Sequence, residues 1–237
     1  MVRVVSQPSS GSIAQPDYWW YRAREELLRE VLGEFVGEPR TVLDVGSADG
    51  PSVRWMAGLG QRVPLDTDLA ALPPGGVCGS ALALPFADES FDVVAAFDVV
   101  EHCEPESQAL AEMARVLRPG GRLLLSVPAY QWAWTDFDVV AGHHRRYTRS
   151  RLAGAVRRSG LEVQRTTHVF AGTFPAFAAE RLVRRLRPGT TSVDTALPSV
   201  SPALERALMW LCRLDRRVLA HRDLAFGSSV VLAARKR

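Results

Sequence analysis

The chain has 237 residues, enough for one medium-sized domain with an appended segment and too few for two full domains. Apolar residues make up 47% and charged residues 23%, which excludes a disordered chain and a fibrous repeat; no stretch approaches the eighteen or so uninterrupted apolar residues of a spanning helix. The formal net charge of +3 is too small to generate the field of a nucleic-acid-binding protein, so no nucleic-acid partner is expected. Almost all positive charge is arginine, Lys236 being the only lysine. The basic clusters at 143–151, 181–187 and 213–217 read as solvated helix faces, with peripheral contact to an anionic membrane as the alternative. Cys78, Cys103 and Cys212 are too few and too scattered for a disulfide framework or a CxxC metal site, so a cytoplasmic location and no metal are expected. Residues 1–17 lack a continuous apolar core and read as a flexible arm rather than a secretory signal.

Residues 18–36 place Leu27, Leu28, Val31, Leu32 and Phe35 on one face with charges opposite, which predicts a helix stopped by Gly37 and Pro39. Thr41–Val45 is a short β-branched run, followed by a turn over 46–50 and a helix-like stretch from Pro51 to Leu59. Gln61–Asp66 reads as a second strand, and Phe91–Phe97 as a strand buried on both faces of a parallel sheet. Leu110, Met113, Ala114 and Leu117 share helical spacing within 105–118, and Pro119-Gly120-Gly121 predicts a stop before a strand over 122–127. Thr148 is placed to cap a helix running to Arg158, with Gly160 just past its end and a strand from Leu161. Helices over 172–187 and 202–220 follow, separated by a Pro/Ser/Thr-rich connector, and a last strand runs over 226–234. The alternation predicts an α/β fold: a doubly wound, mostly parallel sheet in a single domain over 18–237, with 170–225 a helical cap inserted before the last strand. Ligands of such sheets bind outside the carboxyl ends of the strands, where the strand order reverses.

Two strand ends carry the strongest signals. The first runs Asp44-Val45-Gly46-Ser47-Ala48-Asp49-Gly50, in which Gly46 permits a sharp turn and a close ligand approach. Its glycines do not match the dinucleotide fingerprint and no Walker-type lysine follows, so the turn suits a cationic ligand without phosphate. The second ends in Asp66, whose carboxylate either accepts both hydroxyls of a ribose or is a surface loop acid.

These segments, with SALALPFADESFDVVAAFDVVEH and ALAEMARVLRPGGRLLLSVP in order behind them, resemble the motif set of class I S-adenosylmethionine (SAM)-dependent methyltransferases across residues 41–128. The flanks Tyr18–Arg24, Pro128–Tyr130, Gly142–Thr148 and Phe226–Ser229 resemble a bacterial subgroup often linked to glycan or secondary-metabolite pathways. The resemblance implies a seven-stranded Rossmann-like sheet, SAM as cofactor and S-adenosylhomocysteine (SAH) as product. It implies Asp44, Gly46, Ser47 and Ala48 beside the methionine and ribose, Asp66 on the ribose hydroxyls and Thr67 beside the adenine. Ser80 and Ala81 fall where an acid and a backbone amide usually meet the adenine, and Phe97, Asp98 and Val99 fall beside the sulfonium. Ser80 in place of the usual acid is a departure from the pattern.

Methyl transfer from a sulfonium needs mostly positioning, with a base where the acceptor is a hydroxyl. Glu101-His102 after the 91–97 strand, and Asp138 with His143 after the 122–127 strand, are the candidate bases, His143 foremost. Alternatively His102 is a packed loop residue, and Arg146 and Tyr147 brace the next helix. The aromatic segment Tyr18–Arg24 is either a lid whose Arg22 or Arg24 pairs the methionine carboxylate, or a staple of the first helix. Trp132, Trp134 and Phe137 either wall an acceptor pocket or pack their loop. The functional expectation is O- or N-methylation of a small molecule by a monomer or homodimer, the alternative being a SAM-binding protein without methyl transfer, as a non-catalytic partner or a cyclase-like enzyme.

Overall fold

The computed structural model describes residues 15, 17–186 and 199–237, so most of the expected arm and of the Pro/Ser/Thr-rich connector lie outside the described residues. Seven strands form one sheet: β1 (Thr41–Val45), β2 (Gln61–Asp66), β3 (Val77–Cys78), β4 (Phe91–Phe97), β5 (Leu117–Pro128), β6 (Leu161–Val169) and β7 (Ser229–Lys236). Their order is β3-β2-β1-β4-β5-β7-β6, with every pairing parallel except those of β7 to β5 and β6. Among the described residues the α-helices are α1 (Trp19–Val36), α2 (Glu106–Val116), α3 (Asp136–Val140), α4 (Arg149–Arg158), α5 (Phe174–Leu186) and α6 (Pro202–Leu219).

The period-two alternation of the strands decides which helix lies on which face. Leu43, Val45, Val94, Leu123 and Leu125 share one apolar cluster with Leu110 and Met113 of α2 and Leu152 of α4. Val42, Val93, Ala95 and Leu124 share the other with Leu27, Leu28 and Val31 of α1 and Met209 and Cys212 of α6. Both faces are therefore covered, as the continuous apolar run Val93–Phe97 of β4 requires. Burying each large aliphatic side chain of α1 contributes roughly 1.5–3 kcal/mol relative to exposure.

Three local expectations are corrected. The stretch behind β1 is a 3-10 helix over Ser47–Met56 rather than a helix over 51–59. Pro119-Gly120-Gly121 does not precede β5 but forms an irregularity within it: Phe91 pairs with Leu117 and Val93 with Arg122, with Gly120 at φ +82° between them. The final strand begins at Ser229, three residues later than expected.

Strand order reverses between β1 and β4, and the backbone at that edge is strained. Asp98, Tyr130 and Phe170, with φ of 58°, 62° and 65°, lie just past the carboxyl ends of β4, β5 and β6. Such conformations cost non-glycine residues about 1–3 kcal/mol each and persist where surrounding contacts enforce them. All three mark one edge of the sheet.

Candidate active site

At the switch point β1 turns through Gly46, in the left-handed region at φ 74°, with its amide donating to the Leu65 carbonyl (2.8 Å). A Cβ at Gly46 would stand 2.4 Å from Cγ2 of Val99, so the loops after β1 and β4 touch only because residue 46 has no side chain. The hydroxyl of Ser47 is buried and has no hydrogen-bond partner among the described residues. Asp44 is buried, with Nε of Arg62 at 3.6 Å from its carboxylate. At the end of β2, the Asp66 carboxylate accepts from the Asp68 amide (2.9 Å), which fixes its orientation, while Thr67 is exposed. Ser80 accepts from the Leu82 amide (3.2 Å), and Ala81 is buried.

Asp98 receives the Arg24 guanidinium at 2.9 Å, and the Ser126 hydroxyl lies 3.4 Å from its other oxygen. Arg24 is itself buried, its guanidinium 5.0 Å from the Trp20 ring centroid. The structure thus sets Arg24 on an acid of the chain, and Arg22 on Glu205 of α6 at 2.9 Å. Phe97 is buried beside this pair. Glu101 is fully buried, and neither carboxylate oxygen has a hydrogen-bond partner among the described residues. Burial, reinforced by Asp98, holds its carboxyl well above the usual range, with the charges of Arg24 and Arg146 pulling the other way.

The loop between β5 and α4 closes on Asp138, which is fully buried. Its carboxylate accepts from Nδ1 of His143 (2.8 Å), Nε of Arg146 (2.7 Å) and the Thr135 amide (2.9 Å). Burial alone would raise its carboxyl, but the bonds from His143 and Arg146 outweigh it and bring the value down to about 2. An ionised Asp138 only accepts, so Nδ1 of His143 carries the hydrogen of this bond. His102 meets His143 edge to face, with ring centroids 4.6 Å apart. Arg146 also reaches the Ala129 carbonyl (3.3 Å), and the Tyr147 hydroxyl donates to Glu106 (2.6 Å) from full burial. Arg146 and Tyr147 therefore brace the loop.

An aromatic wall, assembled from four segments, borders this cluster. Phe174 of α5 lies 5.6 Å from Tyr130, 6.2 Å from Trp132, 5.9 Å from Phe177 and 5.5 Å from Phe226 between ring centroids. Tyr130 stacks on His168 at 5.2 Å. Arg181 of α5 donates to the Thr135 hydroxyl (2.6 Å), tying that helix to the Asp138 loop. His168 and Arg181 escaped the sequence reading: one sits in an ordinary strand, and the other sits in a basic run that read as solvated.

A doubly wound sheet with a glycine turn at its switch point and acids at the neighbouring strand ends is the architecture of class I methyltransferases. The family model described as a methyltransferase domain matches residues 43–125. A Mycolicibacterium smegmatis protein named a probable S-adenosylmethionine-dependent methyltransferase is 32% identical over 171 residues, covering 68% of this chain and 65% of its own. An uncharacterized methyltransferase of Mycobacterium ulcerans is 32% identical over 183 residues, 73% of this chain and 69% of its own. The chain thus spans about two thirds of the length of the curated relatives it matches. A SAM-dependent methyltransferase structure from Thermotoga maritima shares the fold, with a TM-score of 0.62 at 16% identity over 95% of this chain and 96% of that one. The chain belongs to the SAM-dependent methyltransferase family.

The residues present fit SAM. The side-chain-free Gly46 turn and the buried Ser47 hydroxyl, without a hydrogen-bond partner among the described residues, are what a ligand lying against β1 requires, and the acid at the end of β2 suits a ribose.

Proposed function

We propose that this chain methylates an oxygen or nitrogen of a small molecule with an apolar or aromatic body, in the cytoplasm. The observation that carries the reading is a donor side (Gly46, Ser47, Asp66) and a polar, aromatic-walled side (Asp138, His143, Tyr130, Phe174) on one sheet edge. When bound, SAM supplies a methyl group activated by its sulfonium, so no further activation of the donor is required. In this reading Asp66 accepts from the ribose hydroxyls, and Asp44, Gly46, Ser47 and the backbone of Ala48 border the methionine and ribose. Thr67, Ser80 and Ala81 border the adenine. Phe97, Asp98 and Val99 lie beside the sulfonium, and Arg24 holds the Asp98 carboxylate in place. The acceptor lies along the aromatic wall, with residues 170–225 as its insertion. His143, oriented by Asp138, takes the acceptor's proton while the new bond to the methyl carbon forms; such a base contributes about 10²–10⁴-fold.

Calorimetry with SAH tests the donor side. The wild type is expected to bind, and Asp66→Ala to lose about 30-fold or more, since each hydrogen bond to a charged group is worth about 1.5–3 kcal/mol. No binding, or binding indifferent to Asp66, overturns this half. Methyl transfer from labelled SAM tests the other half; binding without transfer to any acceptor reassigns the chain to a SAM-binding role. Once an acceptor is in hand, Phe174→Ala is expected to raise its KM about tenfold, at roughly one truncated aromatic contact, with SAH affinity unchanged. A shift in SAH affinity instead would place Phe174 on the donor side.

A further inference from the structure

We infer that Glu101, His102 and His143 form a binding site for a divalent first-row transition ion of the zinc class. Each side chain offers one donor atom, and the three donors all lie within 4.8 Å of one another. Two imidazoles and one carboxylate form the donor set of catalytic zinc sites and of open two-histidine-one-carboxylate centres; Mg²⁺ and Ca²⁺ prefer oxygen ligands throughout. Bonds of about 2.0–2.2 Å place donors around one ion roughly 3–3.5 Å apart, so binding draws the side chains together by no more than about 1–2 Å.

Two observations point to a ligand here rather than to packing. Glu101 keeps a fully buried carboxylate with no hydrogen-bond donor on either oxygen among the described residues, an arrangement that a cation would compensate. His143 is oriented as metal-binding histidines are: Nδ1 is held by Asp138 at 2.8 Å, leaving the Nε2 lone pair for an ion, and Asp138 is held in turn by Arg146. The backbone joins the two halves of the site, the His144 amide donating to the Glu101 carbonyl at 2.8 Å.

Three protein donors leave coordination positions open, which rests the role of the site on the acceptor side of methyl transfer proposed above. An acceptor hydroxyl bound there loses its proton to solvent, and its oxygen forms the bond to the methyl carbon as the sulfur–carbon pair returns to sulfur. With the ion in place His143 serves as ligand, and the ion takes over from the imidazole the activation of the acceptor.

The test uses the full chain, freed of metal by a chelator and titrated with Zn²⁺ by calorimetry and with Co²⁺ by visible absorption. One ion per chain is expected, with the absorption of imidazole-ligated Co²⁺. Glu101→Gln and His143→Ala are expected to lose about 100-fold or more in affinity, and Asp138→Asn, a positioning change, about 10–100-fold. Zn²⁺ is expected to raise the melting temperature of the wild type and not that of Glu101→Gln, whose amide keeps the volume of the side chain and removes the carboxylate ligand. No stoichiometric ion in the wild type, or equal binding and equal melting shifts in Glu101→Gln, overturns the inference. SAH calorimetry on the same samples separates the two readings: SAH binding without the ion removes the metal site alone, and ion binding without SAH removes the donor reading alone.

Discussion

Gly46→Ala is expected to weaken SAH binding by about 100-fold or more. Two costs combine. At φ 74° and ψ 39° an alanine occupies the left-handed region, which costs roughly 1–2 kcal/mol. Its Cβ would also stand 2.4 Å from Cγ2 of Val99, a β-branched side chain with little rotamer freedom to yield. Relief requires the loop after β1 to move away from the loop after β4, and that junction is the one a nucleoside lying against both must find intact. The second change that separates the causes is Val99→Ala. In the double variant the clash is gone and the dihedral strain remains, so about half of the lost binding free energy is expected to return. Calorimetry of the wild type, both single variants and the double variant measures it. Wild-type affinity in Gly46→Ala would mean that no ligand depends on this turn; no recovery in the double variant would assign the whole loss to the backbone.

How much of this was legible in the sequence depended on the distance over which the signal acts. Runs such as Phe91–Phe97 show their burial residue by residue, and the acid at the end of β2 and the glycine after β1 are local features, so four strands around the switch point and its turn were readable. Strand β3 was not: two residues, Val77 and Cys78, carry no period, and the seventh strand was implied only by family resemblance. The 3-10 segment over 47–56 was misread because one turn of apolar spacing does not separate a 3-10 from an α-helix. The irregularity in β5 was hidden because Pro119-Gly120-Gly121 looks alike as a stop or as a bulge.

The site divides along the same line. Asp138 and His143 are five residues apart, and their pairing could be anticipated from one polar loop. His102 and His143 meet only because β4 and β5 are neighbours in the sheet, which brings the loops at their carboxyl ends together; no spacing in the chain records that. The pairing of Arg24 with Asp98 needs α1 to cross the sheet, and the aromatic wall needs Tyr130, His168, Phe174 and Phe226 from four segments. Residue types were visible where topology was not. This is why the sequence shows the turn after β1 and the acid after β2 more completely than the contacts of the loops after β4 and β5.

The aromatic wall also carries an expected dependence of stability on pH. His168 is buried beneath the Tyr130 ring, with Nε2 3.3 Å from the tyrosine hydroxyl. Burial, aided by the charge of Arg149 and only partly offset by a backbone bond at Ser229, pushes the imidazole down to about 4 from an ordinary value near 6.5. Tyr130 facing it is raised by burial and stays neutral throughout this range. The folded chain therefore keeps His168 neutral where the unfolded chain protonates it. Its contribution is complete above about pH 6.5, declines by about 1.4 kcal/mol per pH unit as the pH falls, and levels off below about pH 4. The sum is about 3 kcal/mol. His168→Phe keeps a flat ring against Tyr130 and removes the titration. Urea unfolding of both chains at neutral and acid pH is expected to show the wild type losing about 3 kcal/mol more than the variant. Parallel losses in the two chains would mean that His168 protonates as readily folded as unfolded, and that the floor of the acceptor wall is wet.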